Sequence, residues 1–224
     1  MSGNECSSTR NHSRGRWHYR CAVPTIRPYR PEDRGAVADV CVLTGDAGGD
    51  SREKFPDPDL LPNIFALPYV DHEPELAFVL DDGGTAVGYV IGTADTPAFV
   101  KWFREEWLPP LAGRYPLPEH PGTPLDRMVG VLHDPGRMLV EETADYPAHL
   151  HIDLLPGYQG AGHGRALMTT FLRALGEKGV PRVHLGMDPT NTRARAFYDR
   201  MGFHEIPVDR EPRSVFLGRA TIVP

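Results

Sequence analysis

The second half of the chain alternates β-rich runs with amphipathic ones, and this order constrains the fold more than any other feature. AHLHIDLL predicts a strand, and GHGRALMTTFLRALGEKG predicts a helix that ends at Gly179. RVHLGMD, NTRARAFYDRMG, FHEI and SVFLGRATI then predict a strand, a helix and two final strands. Two successive strands joined by a helix need a crossover, so at least two strands should run parallel.

The first half adds an antiparallel part. ELAFVLDDGGTAVGYVIGTAD joins two β-rich runs through Asp-Gly-Gly, which predicts a hairpin. Before it, TIRPYRPEDRGAVADVCVLTG predicts a short strand and a helix with an apolar stripe (Val37, Val40 and Cys41) that Gly45 closes. The expected fold class is therefore α/β, a mixed sheet flanked by helices.

A proline-rich region separates these halves. TPAFVKWFREEWLPPL predicts a helix that starts at Thr96-Pro97 and carries Phe99, Phe103 and Trp107 on one face. From Pro109 to about Pro147 prolines are frequent, with one short helix or strand near MVGVLH. A connection this long is often functional, for example as a lid over a site.

Composition narrows the class of protein. No apolar run approaches the roughly 20 residues of a membrane span, and the polar, basic residues 1–23 lack the apolar core of a secretory signal. We expect residues 1–23 to be a disordered tail and residues 24–224 to form one domain. The three cysteines (Cys6, Cys21 and Cys41) have no metal-ligand spacing, so a reducing, cytoplasmic location is expected.

The formal net charge of −6 argues against a nucleic-acid partner, because a phosphate backbone requires a basic face. An acidic protein is compatible with a cationic substrate such as an amine.

The segment LLPGYQGAGHGRALM, residues 154–168, places Gly160, Gly162 and Gly164 between the predicted strand and helix. A P-loop is excluded because no Lys-Ser/Thr pair follows, and a dinucleotide fingerprint fails because its third glycine would fall at Arg165. Two interpretations remain. The glycines either form a flexible turn, or they expose the amides of a helix N-terminus to an anionic group.

Gln159, Gly162 and Gly164 form Gln-x-x-Gly-x-Gly, and in this the sequence resembles the GNAT superfamily of acetyl-CoA-dependent N-acetyltransferases. PTNTRARAFYDRMGFHEI resembles the second motif of that superfamily, with matches at Asn191, Ala194, Phe197, Tyr198, Gly202 and Phe203. Both motifs lie on the expected elements in the expected order, and together they cover roughly residues 148–206.

The resemblance implies the GNAT fold, a central mixed, mostly antiparallel sheet with splayed parallel core strands. It implies acetyl-CoA as co-substrate, held by Leu154, Leu155, Gln159, Gly160, Ala161, Gly162, His163, Gly164, Arg165, Asn191, Arg193, Ala194, Phe197 and Tyr198. In this family backbone N–H groups near Leu154 and Leu155 would hold the developing oxyanion. Tyr198 would protonate the leaving sulfur, and Arg193 could reach the 3′-phosphate of CoA.

A narrower resemblance lies in TPAFVKWFREEWLPPLAGRYP and in the pattern HIDLL, ARAFYDRMGFHEI and VFLGR. These segments look like the C-terminal acetyltransferase-like domain of O-GlcNAcase and its free-standing bacterial relatives. That likeness implies that residues 24–224 are an acetyltransferase domain with a proline-rich insert at about 97–147. No glycosidase domain fits in this length, so no glycosidase activity is expected.

The strand segment HLHID suggests the base. His149, His151 and Asp153 should share one face, opposite the apolar residues between them, and a polar face is expected to line a cleft. Asp153 also corresponds to an aspartate of the O-GlcNAcase-like pattern, so it is the first candidate for the base or for the anchor of a substrate ammonium. His149 or His151 could serve directly or through a water. A metal held by all three is disfavoured, because ligands spread along one strand span too far for one ion.

The sequence therefore predicts an N-acetyltransferase that transfers acetyl from acetyl-CoA to a primary amine by direct attack in a ternary complex, without a metal. The alternative is a non-catalytic acetyl-CoA-binding or protein-interaction module. The acceptor would be a small-molecule or a protein or peptide amine, with no nucleic-acid or membrane partner. The chain is expected to be a monomer or a homodimer.

Overall fold

Seven strands form one sheet in the computed structural model, which describes residues 23–208 and 214–222. They are β1 (Thr25–Pro28), β2 (Phe78–Asp82), β3 (Thr85–Thr93), β4 (Ala148–Leu154), β5 (Arg182–Met187), β6 (His204–Ile206) and β7 (Val215–Ala220). Their order across the sheet is β1-β2-β3-β4-β5-β7-β6. Only β4 and β5 pair in parallel within this sheet, which confirms a mixed, mostly antiparallel arrangement.

Eight α-helices flank the sheet in the described part of the chain. They are α1 (Arg34–Thr44), α2 (Leu60–Phe65), α3 (Leu67–His72), α4 (Thr96–Trp102), α5 (Leu108–Ala112), α6 (Pro124–His133), α7 (His163–Glu177) and α8 (Thr192–Arg200). Short 3₁₀ segments lie at Pro31–Asp33, Pro74–Leu76, Pro135–Met138, Glu141–Thr143 and Pro156–Tyr158. Every helix that the structure describes is too short or too polar to cross a bilayer. The tail expected at residues 1–23 lies, apart from Val23, outside the described residues.

The core has two parts, one on each face of the sheet. Alternation along β3 directs Tyr89 and Ile91 toward α1–α6, and Val90 toward α7 and α8. α7 buries the stripe Leu167, Met168, Phe171, Leu172 and Leu175. The predicted stripe of α1 is buried on the opposite face. β4 therefore lies between two apolar layers, and its own side chains alternate between them.

The helix predicted to start at Thr96 does begin at that residue. Asp95 is its N-cap and accepts from Ala98 N at 3.0 Å, whereas the Thr96 hydroxyl donates to Pro147 O. The helix continues through a π-helical turn, Phe103–Trp107, in which Leu108 N–H bonds to Phe103 O. Pro109 and Pro110 lack N–H groups, so the preceding carbonyls lose their ordinary helical donors and a wider turn results. Phe99 and Phe103 are buried as predicted.

Candidate active site

The site forms where β4 and β5 separate. These strands pair only at Ala148 with Val183 and at His149 with His184. Beyond His149, β4 remains paired to β3 through Leu154, but β5 follows β7 instead. The predicted splay of the parallel core strands is confirmed, and among the described residues it leaves one edge of β4 from Leu150 onward without a strand partner.

The N-terminus of α7 lies beside this gap. Gly160 and Gly162 have positive φ values of 80° and 88°, a conformation that other residues rarely adopt. In the described part of the chain, the amides of 160–162 have no hydrogen-bond acceptor. The first bond of α7 runs from Ala166 N to Gly162 O, so the amides of the first turn also lack intrahelical partners. The loop therefore presents a run of free N–H groups at the positive end of a fifteen-residue helix.

A cavity of about 440 Å³, here called the loop cavity, occupies this gap. Most of the residues predicted for the cofactor line it: Leu154, Gln159, Gly160, Gly162, Gly164, Arg165, Asn191, Arg193, Ala194, Phe197 and Tyr198. Asp153 lines it too, so both predicted catalytic residues border the same space. Leu155, Ala161 and His163 do not line it.

Sequence analysis missed one wall of the loop cavity. Thr44, Ala47 and Gly48, at the end of α1, line it together with Ile152, Arg200 and Met201. The turn after α1 has positive φ values at Ala47 and Gly48, and an Asp-Ala-Gly-Gly sequence is the signal that could have indicated it.

Gln159 and Asn191 have local partners as well as positions on the cavity wall. Gln159 Nε2 donates to Leu154 O at 2.7 Å, which ties the glycine loop to the end of β4. The Asn191 side chain accepts from Ala194 N at 3.0 Å and caps α8. Each motif residue thus fixes the shape of the backbone around the gap.

The register of β4 decides which amides face the gap. Leu155 N bonds to Val87 O at 3.0 Å, and such bonded pairs alternate along an antiparallel ladder. The N–H groups of Asp153 and Leu155 therefore point to β3, and those of Ile152 and Leu154 point to the gap. The expectation that Leu155 donates to an oxyanion was wrong, because its amide is already bonded within the sheet.

Asp153 is a half-buried carboxyl on the wall of the loop cavity. Its Oδ2 accepts from the Tyr89 hydroxyl at 2.7 Å, and Tyr89 is itself fully buried. Burial raises the pKa of Asp153 above its ordinary value, although the Tyr89 hydrogen bond opposes the shift.

Tyr198 reaches the gap from α8. Burial, followed by the charge of Asp153, raises the pKa of Tyr198, so its phenol keeps its proton at neutral pH. Among the described residues, every side-chain polar atom that is fully buried has a hydrogen-bond partner. The Tyr198 hydroxyl has no hydrogen-bond partner among those residues, so it is not one of these fully buried atoms. The hydroxyl must therefore be reached by solvent, and the space that it borders is the loop cavity.

The two histidines line a second cavity rather than the loop cavity. This space, here called the Pro-rich cavity, has a volume of about 820 Å³ and is walled partly by the proline-rich segment and α6. His149 Nδ1 lies 2.8 Å from Thr96 Oγ1, and its Nε2 lies 2.8 Å from the Tyr69 hydroxyl, which is 3.1 Å from His151 Nε2. The two cavities adjoin along β4, since residues up to His151 line one and residues from Ile152 onward line the other.

This network fixes the tautomers. Thr96 donates to Pro147 O, a carbonyl that only accepts, so His149 Nδ1–H donates to Thr96. His149 Nε2 then accepts from Tyr69, and His151 Nε2–H donates to the Tyr69 oxygen. Burial lowers the pKa of His149 well below its ordinary value and, with the charge of Arg137, lowers that of His151 to about 4. Both rings are neutral, and His151 Nδ1 keeps a lone pair.

Comparison with known proteins agrees with this geometry. The sequence model of the Acetyltransferase (GNAT) family matches residues 46–203. Protein O-GlcNAcase of Mus musculus is 26% identical over 206 residues, which are 88% of this chain and 22% of that protein. The chain thus spans about a fifth of the length of the first curated relatives that it matches.

A shorter sequence match and a solved structure are also similar to this chain. Mycothiol acetyltransferase of Beutenbergia cavernae is 47% identical over 53 residues, 24% of this chain and 18% of that protein. The crystal structure of SsHAT superposes with a TM-score of 0.87 at 61% identity, over 90% of this chain and 100% of that one. The family match extends over more than half of the chain and includes the loop, the gap and both catalytic candidates. This chain therefore belongs to the GNAT acetyltransferase family.

Proposed function

We propose that this protein binds acetyl-CoA in the loop cavity and transfers the acetyl group to a primary amine while both substrates are bound. The proposal rests chiefly on the free amides at the N-terminus of α7. A diphosphate is the group that such an array holds best, because the amides donate to it and the helix dipole favours its charge. Arg165 and Arg193 add positive charge to the same wall.

The residues of the gap suit acetyl transfer. Acetyl-CoA would supply the acetyl group as an activated thioester. The Ile152 and Leu154 amides face the space in which the carbonyl oxygen would gain charge. Asp153 would take a proton from the ammonium of the acceptor, and the neutral Tyr198 phenol would donate one to the departing sulfur. A binding module without turnover would not require both of these groups at one cavity.

Calorimetric titration with acetyl-CoA tests the proposal. The parent protein should bind with micromolar affinity, and Gly162→Glu should bind none, since it places a carboxylate and a disfavoured φ in the loop. Gly179→Glu is the matched control: Gly179 lies just past the other end of α7, has a φ of 75° and has equally open space around it. Its backbone strain should be similar, about 1–2 kcal/mol, yet its acetyl-CoA affinity should equal that of the parent. Failure of the parent to bind, or equal loss in both variants, would overturn the proposal.

A further inference from the structure

The Pro-rich cavity contains a cation whose role the structure does not otherwise account for. Arg137, from the 3₁₀ segment Pro135–Met138, is half-buried and lines this cavity together with Phe65 and His151. Its guanidinium carbon lies 5.5 Å from the centre of the Phe65 ring, and that ring lies edge-on to His151 with their centres 6.0 Å apart. The guanidinium is therefore held near the point where the two cavities adjoin.

Arg137 lacks the partners that other confined arginines have. Among the described residues its side chain makes one hydrogen bond, a long one from Nε to Val131 O at 3.4 Å. No carboxylate of residues 23–208 or 214–222 lies within ion-pair distance of the guanidinium. Arg27, in contrast, bonds to two carboxylates, and Arg219 bonds to several carbonyls. No buried polar side-chain atom of the described residues is left without a partner, so the terminal nitrogens of Arg137 must open onto the cavity.

The poor solvation of the Arg137 charge suggests that this side chain binds a ligand. Burial lowers the pKa of Arg137, which means that its charged form is poorly solvated, and Asp134 compensates only from beyond contact distance. Asp126, another acidic residue of the wall, already accepts from the amides of Gly122 and Thr123. A planar guanidinium with free N–H groups in a cavity is suited to bidentate binding of a carboxylate.

We propose that Arg137 binds the carboxylate of the acceptor, so that the acceptor is an amine that also carries a carboxylate, such as an amino acid. This inference rests on the proposed acetyl transfer and specifies its substrate class. The carboxylate would lie against Arg137 and Phe65, and the amine would extend past His151 toward Asp153 and the gap. The net charge of −6 of the whole chain favours a simple cationic amine as acceptor. The positive charge of Arg137 in the Pro-rich cavity favours instead a zwitterion, which carries a carboxylate as well as the amine.

Matched pairs of amines test this assignment through release of the CoA thiol. The pairs are β-alanine and ethylamine, L-leucine and isoamylamine, and L-phenylalanine and phenethylamine, each with and without the carboxylate. The carboxylate-bearing member should have the lower KM. Arg137→Gln should raise the KM of the carboxylate-bearing amine by about 10- to 100-fold, because that substrate loses a charged hydrogen bond. The KM of the matching amine without a carboxylate should stay within about twofold of its value in the parent. Arg137→Lys should recover part of the loss.

Arg127→Gln is the control, since it removes the same charge from the exposed rim of the same cavity and should change both KM values by less than about threefold. Equal KM values within the pairs, or an equal effect of Arg137→Gln on both members, would overturn the assignment.

A binding measurement keeps the inference testable if no amine of the panel is acetylated. The Nε–Hε resonance of Arg137, identified by its absence from Arg137→Gln, is followed while β-alanine, acetate and phosphate are added to the protein with CoA present. A saturable shift with the two carboxylates is expected, and no shift, or a stronger response to phosphate, would refute it. Acetyl-CoA titration separates the two proposals: binding without an Arg137 response refutes only the carboxylate site, and loss of acetyl-CoA binding refutes the proposed function.

Discussion

Asp153 has two conflicting requirements. As the proposed general base it must be ionised, yet this half-buried carboxyl lies beside Tyr89 and its pKa is raised. A carboxyl whose pKa is higher in the folded than in the unfolded protein contributes stability below the unfolded pKa, and that contribution is lost as pH rises through the folded pKa. At neutral pH Asp153 therefore makes the folded protein less stable than a neutral side chain of the same shape would.

Asp153→Asn should accordingly raise the midpoint of thermal unfolding at pH 7 and lower acetyl transfer by about 10²-fold. The amide oxygen can still accept from Tyr89, so the fold keeps its hydrogen bond, and the gain in stability should shrink as pH falls toward 4. Asp81→Asn is the control, and it should lower the midpoint of thermal unfolding at pH 7. A backbone hydrogen bond from Gly84 and the Arg27 guanidinium lower the pKa of Asp81, so its ionised form stabilises the fold. Thermal unfolding of both variants between about pH 4 and 7 checks this, and a destabilised Asp153→Asn would contradict it.

Sequence motifs could name candidate residues of the site, and their catalytic roles stay predictions. Asp153 and Tyr198 were named from the sequence, and both border the loop cavity. The amide of Leu155 was misassigned, because the direction of an N–H group depends on the register with β3, which a single strand sequence does not contain.

At the level of elements, the His149–Tyr69–His151 network joins β4 to α3 and, through Thr96, to α4. Both rings are neutral in the fold, and burial also lowers the pKa of His184. A histidine with a lowered folded pKa contributes stability that is complete above its unfolded pKa, near 6.5, and is lost as pH falls toward the folded value.

Stability should therefore fall between about pH 7 and 5, by up to about 1.4 kcal/mol per pH unit for each histidine that stays neutral. The measurement is urea unfolding in the Asp153→Asn background, which removes the opposing titration of Asp153. His151→Gln should flatten the pH dependence, and His120→Gln, which changes an exposed histidine, should not. A free energy of unfolding that stays constant across this range would contradict the buried neutral network.

Elements with strong periodicity were predicted from sequence, and the connections between them were not. The β2–β3 hairpin, α7 and α8 follow from local patterns and are confirmed. The wall that the end of α1 contributes, and the Pro-rich cavity bounded by α6, depend on contacts between distant segments. Irregular connections acquire their shape from such packing rather than from local preference, so no single-segment pattern could place them.

For the whole molecule, the central observation is that two cavities adjoin at one strand. β4 contributes Asp153 and Leu154 to the loop cavity, and His149 and His151 to the Pro-rich cavity. A donor in the first space and an acceptor in the second would meet at the gap without exchanging places. Under the proposed function, direct transfer with both substrates bound would then need no covalent acetyl-enzyme.

The absence of a covalent acetyl-enzyme can be tested on the cysteines, which are the side chains that would carry such an acetyl group. Cys41 is buried in the part of the core that lies between the sheet and α1–α6, and burial raises the pKa of its thiol, so it is a poor nucleophile. Intact protein mixed with acetyl-CoA alone should gain no acetyl mass on any of its three cysteines. Initial rates with both substrates varied should give intersecting reciprocal plots, and Cys41→Ala should keep its rate within about twofold while losing about 1–2 kcal/mol of stability. An acetylated protein that passes its acetyl group to an added amine, together with parallel plots, would replace direct transfer by a two-step route.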